Sequence, residues 1–74
     1  MAKPYNGHHC WNCWNVALWL QNDEPLYRTA VEVKRRYGAG VGARVFIRDW
    51  GLTRTPDGAR YTTKAVRDTL AGLE

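Results

Sequence analysis

The chain has 74 residues, a formal net charge of +4 and an isoelectric point of about 9.4. A chain of this length supports one domain, residues 1–74, and buries only about 60% of its unfolded surface, which leaves little room for a cofactor cleft and a catalytic constellation. These limits predict a binding protein that is not an enzyme and has no cofactor.

The first ten residues are expected to form an irregular lead-in, because Pro4 and the Asn6-Gly7 pair are typical of turns. No apolar run approaches the roughly 18 residues of a membrane span, and the first five residues lack the apolar core of a secretory signal. Two cysteines do not make a disulfide framework. We therefore expect a cytoplasmic protein with no membrane partner.

A first helix is predicted from about Trp11 to Leu20 or Gln21. Asn15 and Gln21 are expected to point to solvent, whereas Trp19 lies roughly 180° from Ala17 on a helical wheel. Trp19 therefore either packs against another helix or is exposed for a partner. The apolar side of this helix is predicted to contain Trp11, Cys13, Trp14, Ala17, Leu18 and Leu20.

A second helix is predicted from Asp23, because Asp23-Glu24-Pro25 combines acidic residues with a proline in the first turn. Its apolar stripe is predicted to contain Leu26, Ala30, Val33 and Tyr37. The glycine-rich stretch 38–42 is expected to end it. Arg28 and the Lys34-Arg35-Arg36 run are expected mainly to cap this helix, because cations stabilise its carbonyl end.

A third helix is predicted from about Val41 to Trp50. Arg44 and Arg48 lie at i,i+4 on one side of it. Gly51 suits the left-handed position that ends a helix, with Leu52 making the apolar contact that follows. The opposite side is predicted to hold Ala43, Phe46, Ile47 and Trp50, and we place both Trp50 and Trp14 in the core.

The Pro56-Asp57-Gly58 sequence predicts a tight turn between short extended arms. Thr62 is then a suitable N-cap for a last helix, whose apolar stripe is predicted to contain Val66, Leu70 and Leu73. The predicted fold is thus mainly α, with about four short helices, a small β-hairpin before the last one, and a helix-turn-helix-like C-terminal half.

Four residues that could bind a metal lie close together: His8, His9, Cys10 and Cys13. Structural zinc sites usually combine two ligand pairs from separate segments, and no Cys or His follows Cys13. A nucleophilic cysteine would need a base and a third group that orients it. We interpret Cys13 as a small apolar core residue and the histidines as surface residues, and we predict no metal site and no catalytic residue.

Positive charge is concentrated in the C-terminal part. Residues 28–74 contain ten Lys or Arg against five Asp or Glu. Most of these basic residues are arginine, which suits phosphate recognition. Lys64 and Arg67 share a face at i,i+3 near a helix start. The residues predicted to bind nucleic acid or another partner are Arg54, Arg60, Lys64, Arg67, Arg44, Arg48 and Trp19.

Residues 43–73 resemble the helix-turn-helix at the end of the DNA-binding region of large serine recombinases. There, a glycine-leucine, Thr-Pro-x-Gly and aromatic-threonine run joins two helices. This resemblance covers under half of the chain and implies DNA contact through the hairpin and the last helix. The matching residues are Gly51, Leu52, Thr55, Pro56, Gly58, Tyr61, Thr62, Val66 and Leu70.

The whole chain resembles small bacteriophage-type proteins with an NG…WNxWNVxLW…NDExLY…TPDGxxYT pattern. The resemblance is carried by Thr55–Thr62 and, in the first half, by Tyr5, Asn6, Gly7, Trp11, Asn12, Trp14, Asn15, Val16, Leu18, Trp19, Asn22, Asp23, Glu24, Leu26 and Tyr27. It implies a phage-type accessory protein in the host cytoplasm. Two hypotheses follow: a nucleic-acid-binding module, for which a homodimer is one option, or an anti-CRISPR-like inhibitor or adaptor that binds a host or defence protein complex.

Overall fold

The computed structural model describes residues 11–73, and the predicted lead-in lies outside them. The described residues form three helices: α1, Trp11–Asn22; α2, Glu24–Trp50; and α3, Thr63–Ala71. The prediction of four helices is therefore wrong. Within these residues, no helix combines the length and the apolar character needed to cross a membrane.

The error in helix number lies at the glycine-rich stretch. Only Gly38 leaves the helical conformation, with φ 81° and ψ 175°, and helical structure resumes at once, so that α2 is one kinked element. A positive φ is accessible to glycine at little cost because it has no Cβ. Gly42 has a different role: a Cβ there would lie 2.9 Å from Val33 Cγ1, so its absence lets the two arms of α2 approach closely.

The predicted β-hairpin is also wrong. Residues 53–61, which we call the turn segment, contain one isolated antiparallel bridge, between Arg54 and Arg60, and no strand. Strands cannot extend because Gly51 ends α2 and Thr62 already caps α3. The connection between these helices spans residues 51–62, and the helix-turn-helix resemblance stays a prediction.

The helix ends agree with the local sequence. The Asp23 carboxylate accepts a hydrogen bond from the Leu26 amide, and the Thr62 hydroxyl accepts one from the Ala65 amide, each at 3.1 Å. Gly51 is left-handed, with φ 61°, and the Leu52 amide donates to the Ile47 carbonyl as in a Schellman motif. The predicted caps Thr62 and Gly51 are confirmed, and so is a helix start at Asp23.

One core joins the three helices and the turn segment. Its largest fully buried apolar side chains are Phe46, Leu20, Leu70, Val16 and Val66. The α3 stripe of Val66, Leu70 and Leu73 is buried as predicted. At the end of α3, the Lys34 ammonium donates hydrogen bonds to the Ala71 and Leu73 carbonyls, which ties α2 to the C-terminal end of α3.

The tryptophan placements depart from the prediction. Trp50 is 46% exposed and Trp11 is 40% exposed, while Trp14 is only partly buried. Asn15, which was expected to face solvent, is 1% exposed. The buried side of α1 therefore contains Asn15, which was predicted to face solvent. The contacts between α1 and the turn segment explain this.

Candidate nucleic-acid interface

Helix α1 holds the turn segment through two asparagines and a tryptophan. The Asn12 side-chain amide donates to the Arg60 carbonyl at 2.9 Å, and its oxygen accepts from the Arg60 amide at 2.8 Å. Asn12 thus satisfies both backbone groups of Arg60, as a neighbouring strand would. The backbone beside the bridge is fixed while the Arg60 side chain is left out of these bonds.

A second set of bonds joins α1 to the tip of the turn segment. The Asn15 amide and the Trp19 indole donate to the same oxygen of Asp57, at 2.8 Å and 3.0 Å. The Thr55 hydroxyl donates to the Asn15 side-chain oxygen at 2.5 Å and accepts from the Ala59 amide at 3.1 Å. This network explains why Asn15 is buried: its polar atoms are paired across the interface.

The two donors also set the ionisation of Asp57. The hydrogen bond from Asn15, and then that from Trp19, hold the pKa of the Asp57 carboxyl below its usual value, because both bonds favour the charged form. Asp57 is therefore an anion turned towards α1. Trp19 was predicted either to pack against another helix or to be exposed for a partner. It is partly buried, and its indole is hydrogen-bonded to Asp57.

Arg54 and Arg60 face each other across the isolated bridge. The Thr55 amide donates to the Ala59 carbonyl at 2.8 Å, and the Tyr61 amide donates to the Thr53 carbonyl at 3.0 Å. This is the pattern of a non-hydrogen-bonded antiparallel pair, in which opposite side chains share a face with Cβ atoms about 4.5–5.5 Å apart. The bridge therefore starts two arginine side chains side by side from one face of the turn segment, and both residues are exposed.

This arginine pair has no acidic partner within residues 11–73, where neither Arg54 nor Arg60 forms an ion pair. The Arg54 guanidinium donates to the Gly58 carbonyl, at 3.2 Å. Like charges directly opposed across a bridge are unfavourable. The pair lacks the neutralising carboxylate that the turn could have supplied, because Asp57 is bonded to α1.

Lys64 and Arg67 are both exposed on the outer side of α3, as predicted. Asp68 lies between them, with its carboxylate 3.4 Å from the Lys64 ammonium and 3.6 Å from the Arg67 guanidinium. Exposed pairs of this kind contribute little to stability and remain open to exchange. Asp68 nevertheless lowers the positive charge of this face by one.

Arg44 and Arg48 are exposed on the second arm of α2. Arg48 pairs with Asp49 at 3.0 Å, whereas Arg44 forms no ion pair within the described part of the chain. In that same part, no hydrogen bond or ion pair joins either residue to the turn segment or to α3. The structure thus brings Arg54 and Arg60 together and leaves the other predicted cations on separate helical faces.

The predicted Cys/His cluster is described only in part. His8, His9 and Cys10 lie outside the described residues, while Cys13 is 7% exposed and belongs to the core cluster, as predicted. Across residues 11–73, no three histidine, cysteine or acidic side chains lie close enough together to hold a metal ion.

The contacts of Asn12 and Asn15 with the turn segment were not predicted from the sequence. A signal was present: Asn12, Asn15 and Trp19 recur at i, i+3 and i+7, which is a helical face of hydrogen-bonding side chains. The sequence pattern that contains these three residues also contains Thr55, Asp57 and the residues that follow. The two ends of that pattern are now seen to contact each other.

Fold and site define a small three-helix protein in which α1 anchors an arginine-bearing turn. A family model matches residues 1–70, and the chain belongs to that family, which is described as a family of unknown function, DUF7249. No curated protein and no solved structure matches the chain.

Proposed function

We propose that the protein is a non-enzymatic accessory protein that binds nucleic acid through the phosphate backbone. The carrying observation is the pair of Arg54 and Arg60 side chains, which lie opposite each other without a carboxylate partner among the described residues. Guanidinium groups bind phosphate oxygens in bidentate fashion. A phosphate would relieve the repulsion between the two arginines.

Two features of the surroundings support this reading. Asn12 and the Asn15–Asp57–Trp19 network fix the turn segment from the α1 side, so the arginines are presented from a braced backbone. The first turn of α3, which carries Lys64, follows the turn segment directly in the chain, because α3 begins at Thr63. Lys64 and Arg67 are the cations on that face that would meet neighbouring phosphates.

The proposal extends to origin and compartment. The phage-type pattern of the sequence supports an accessory protein that acts in the cytoplasm of a host cell. Binding of this kind requires no catalytic residue, metal or cofactor. A homodimer would increase the affinity of so small a basic surface, and the same binding measurements made at several protein concentrations test for it.

The experiment compares two double variants with the same loss of charge. Arg54→Gln with Arg60→Gln removes the bridge pair, and Arg28→Gln with Arg35→Gln removes two exposed cations from the first arm of α2. Binding to single- and double-stranded oligonucleotides is measured by fluorescence anisotropy over a range of salt concentrations. The bridge variant should weaken binding and flatten the salt slope by about 0.7–0.9 per lost phosphate contact.

The control variant should keep most of the wild-type slope. A further variant, Asp68→Asn, should tighten binding, because it removes the anion between Lys64 and Arg67. Equal losses from the two double variants would indicate attraction to net charge alone and would contradict the proposed site. Absence of binding at about 0.15 M salt, where the Debye length is about 8 Å, would favour the protein-binding inhibitor or adaptor instead.

A further inference from the structure

Trp11 is the first residue of α1 and lies next to the residue that holds Arg60. It is 40% exposed, although it is a large apolar group. Asn12, the next residue, bonds both backbone groups of Arg60, at 2.9 Å and 2.8 Å. An indole is therefore left accessible to solvent within one residue of the contact that fixes the arginine pair.

The helical arrangement of α1 places Trp11 on the side of the helix away from the core. Asn12, Asn15 and Trp19, which bond the turn segment, fall within about 60° of one another at about 100° per residue. The buried apolar residues of α1 lie to one side of this stripe: Cys13, Val16, Ala17 and Leu20. Trp11 lies about 40° beyond the stripe on its other side, at i,i+4 from Asn15.

The side chains of Arg54 and Arg60 also start from the side away from the core. Side chains of an extended backbone alternate between its two faces. The residues that alternate with the arginines are buried: Thr55, Ala59 and Tyr61. The arginines therefore project from the outer face of the turn segment, which is the side on which Trp11 lies.

The order of contacts along α1 places Trp11 at the bridge end of the turn segment. Asn15 contacts the tip of that segment at Asp57. Asn12, about one turn earlier in the helix, contacts Arg60 beside the bridge. Trp11 precedes Asn12 and so lies level with the arginine pair. Helix α1 contains no acidic residue that would repel a phosphate there.

An aromatic ring beside cations is the combination by which proteins bind single strands, because the cations bind phosphates while the ring stacks on a base. A duplex offers phosphates to the arginines, but its bases are already stacked on one another. We propose that the nucleic acid bound at this site is single-stranded, with a base stacked on Trp11 and an adjoining phosphate on Arg54 and Arg60. This inference rests on the proposed function, because it assigns the class of nucleic acid to the same site.

The test compares three probes of equal length by fluorescence anisotropy: an oligothymidylate of about ten nucleotides, an abasic strand with the same number of phosphates, and the duplex of the oligothymidylate with its complement. The wild-type protein should bind the oligothymidylate about five- to a hundredfold more tightly than the abasic strand, which is the range of one base stacked on an aromatic ring. Trp11→Ala should remove this difference. It should leave the salt slope unchanged, because no phosphate contact is lost, and the duplex affinity within about twofold.

Two further variants separate stacking from an effect on the fold. Trp11→Phe keeps an aromatic ring and should retain most of the difference between the two strands. The matched control is Tyr27→Ala, which removes a ring that is also 40% exposed. Tyr27 lies in the first turn of α2, beyond the far end of α1, whose 12 residues span about 18 Å. Its removal should leave both affinities within about twofold, and circular dichroism checks that each variant is folded.

Equal binding of the oligothymidylate and the abasic strand by the wild-type protein would overturn this inference, and that comparison depends on no variant. A Trp11→Ala protein that keeps the difference would also overturn it, as would equal losses from Trp11→Ala and Tyr27→Ala. In these cases a salt slope that depends on Arg54 and Arg60 would still support the proposed function. Binding of no probe, or a slope that Arg54→Gln with Arg60→Gln leaves unchanged, would overturn the proposed function and this inference with it.

Discussion

A methyl group added at Gly42 tests the close approach of the two arms of α2. The Cβ of Gly42→Ala would lie 2.9 Å from Val33 Cγ1, 3.2 Å from the Val33 carbonyl oxygen and 3.4 Å from Leu70 Cδ1. The first two distances are shorter than ordinary van der Waals contacts. The Val33 side chain is branched at Cβ and has few alternative rotamers, and its carbonyl belongs to the helix.

The matched control is Gly40→Ala, one half-turn earlier in the same arm, where an added Cβ meets nothing within 4 Å. Replacing glycine by alanine inside a helix raises the free energy of unfolding by about 0.5–1 kcal/mol, and we expect this gain in both variants. Only Gly42→Ala also carries the cost of overpacking, typically about 1–3 kcal/mol. We therefore expect Gly40→Ala to be neutral or stabilising and Gly42→Ala to be less stable than it by about 1–3 kcal/mol.

Thermal and urea unfolding, followed by circular dichroism, give both free energies of unfolding. At about 4–8 °C per kcal/mol for a domain of this size, the two melting temperatures should differ by at least several degrees. Equal melting temperatures would contradict this prediction, because they would mean that the two arms do not approach at Gly42. A Gly42→Ala variant more stable than Gly40→Ala would have the same meaning.

Three further predictions concern the network and the exposed tryptophan. Asn15→Ala should lower the free energy of unfolding by about 1–3 kcal/mol in urea melts, because it leaves buried partners unpaired, while Gln21→Ala on the exposed side of α1 should change it by less than about 0.5 kcal/mol. The pKa of Asp57 is lower in the folded protein than in the unfolded chain. Its contribution to stability is therefore present above the unfolded pKa, near 3.9, and is lost as the pH falls through the folded pKa. Melting temperatures recorded from pH 7 to pH 2 should show a loss below about pH 4 that Asp57→Asn reduces, and an identical loss in the variant would contradict the assignment. Trp50→Ala should cost clearly less than the roughly 3–5 kcal/mol of a fully buried tryptophan, since it loses mainly its edge contact with Phe46; a full core cost in the same melts would show that Trp50 is buried.

Features that depend on near neighbours along the chain could be predicted from the residues alone. Thr62 and Asp23 were predicted to begin helices, and Gly51 to end one, because a cap satisfies backbone groups within a few residues of itself. The α3 stripe was predicted from its spacing, because a short helix with one apolar side has one way to face a core. The exposure of Lys64 and Arg67 followed from the same periodicity.

Which side of α1 is buried depends on contacts between residues that are far apart in the chain. Helical periodicity classed Asn15 as a solvent residue, since a polar group is costly to bury unless a partner exists. Its partners, Thr55 and Asp57, lie about forty residues away, and nothing local to α1 reveals them. The same contacts turn Asp57 away from the arginines, so the open Arg54–Arg60 pair is itself a consequence of long-range packing.

The kink in α2 and the turn segment also depend partly on local sequence and partly on long-range contacts. A glycine-rich stretch predicts a break, but whether the helix stops or bends depends on what its arms meet, and at Gly42 they meet each other and α3. Turn residues predict a reversal of the chain, but strands need length and partners. Asn12 of α1 takes the backbone groups of Arg60 that a further strand would have used, so residues 53–61 remain a braced turn with a single bridge.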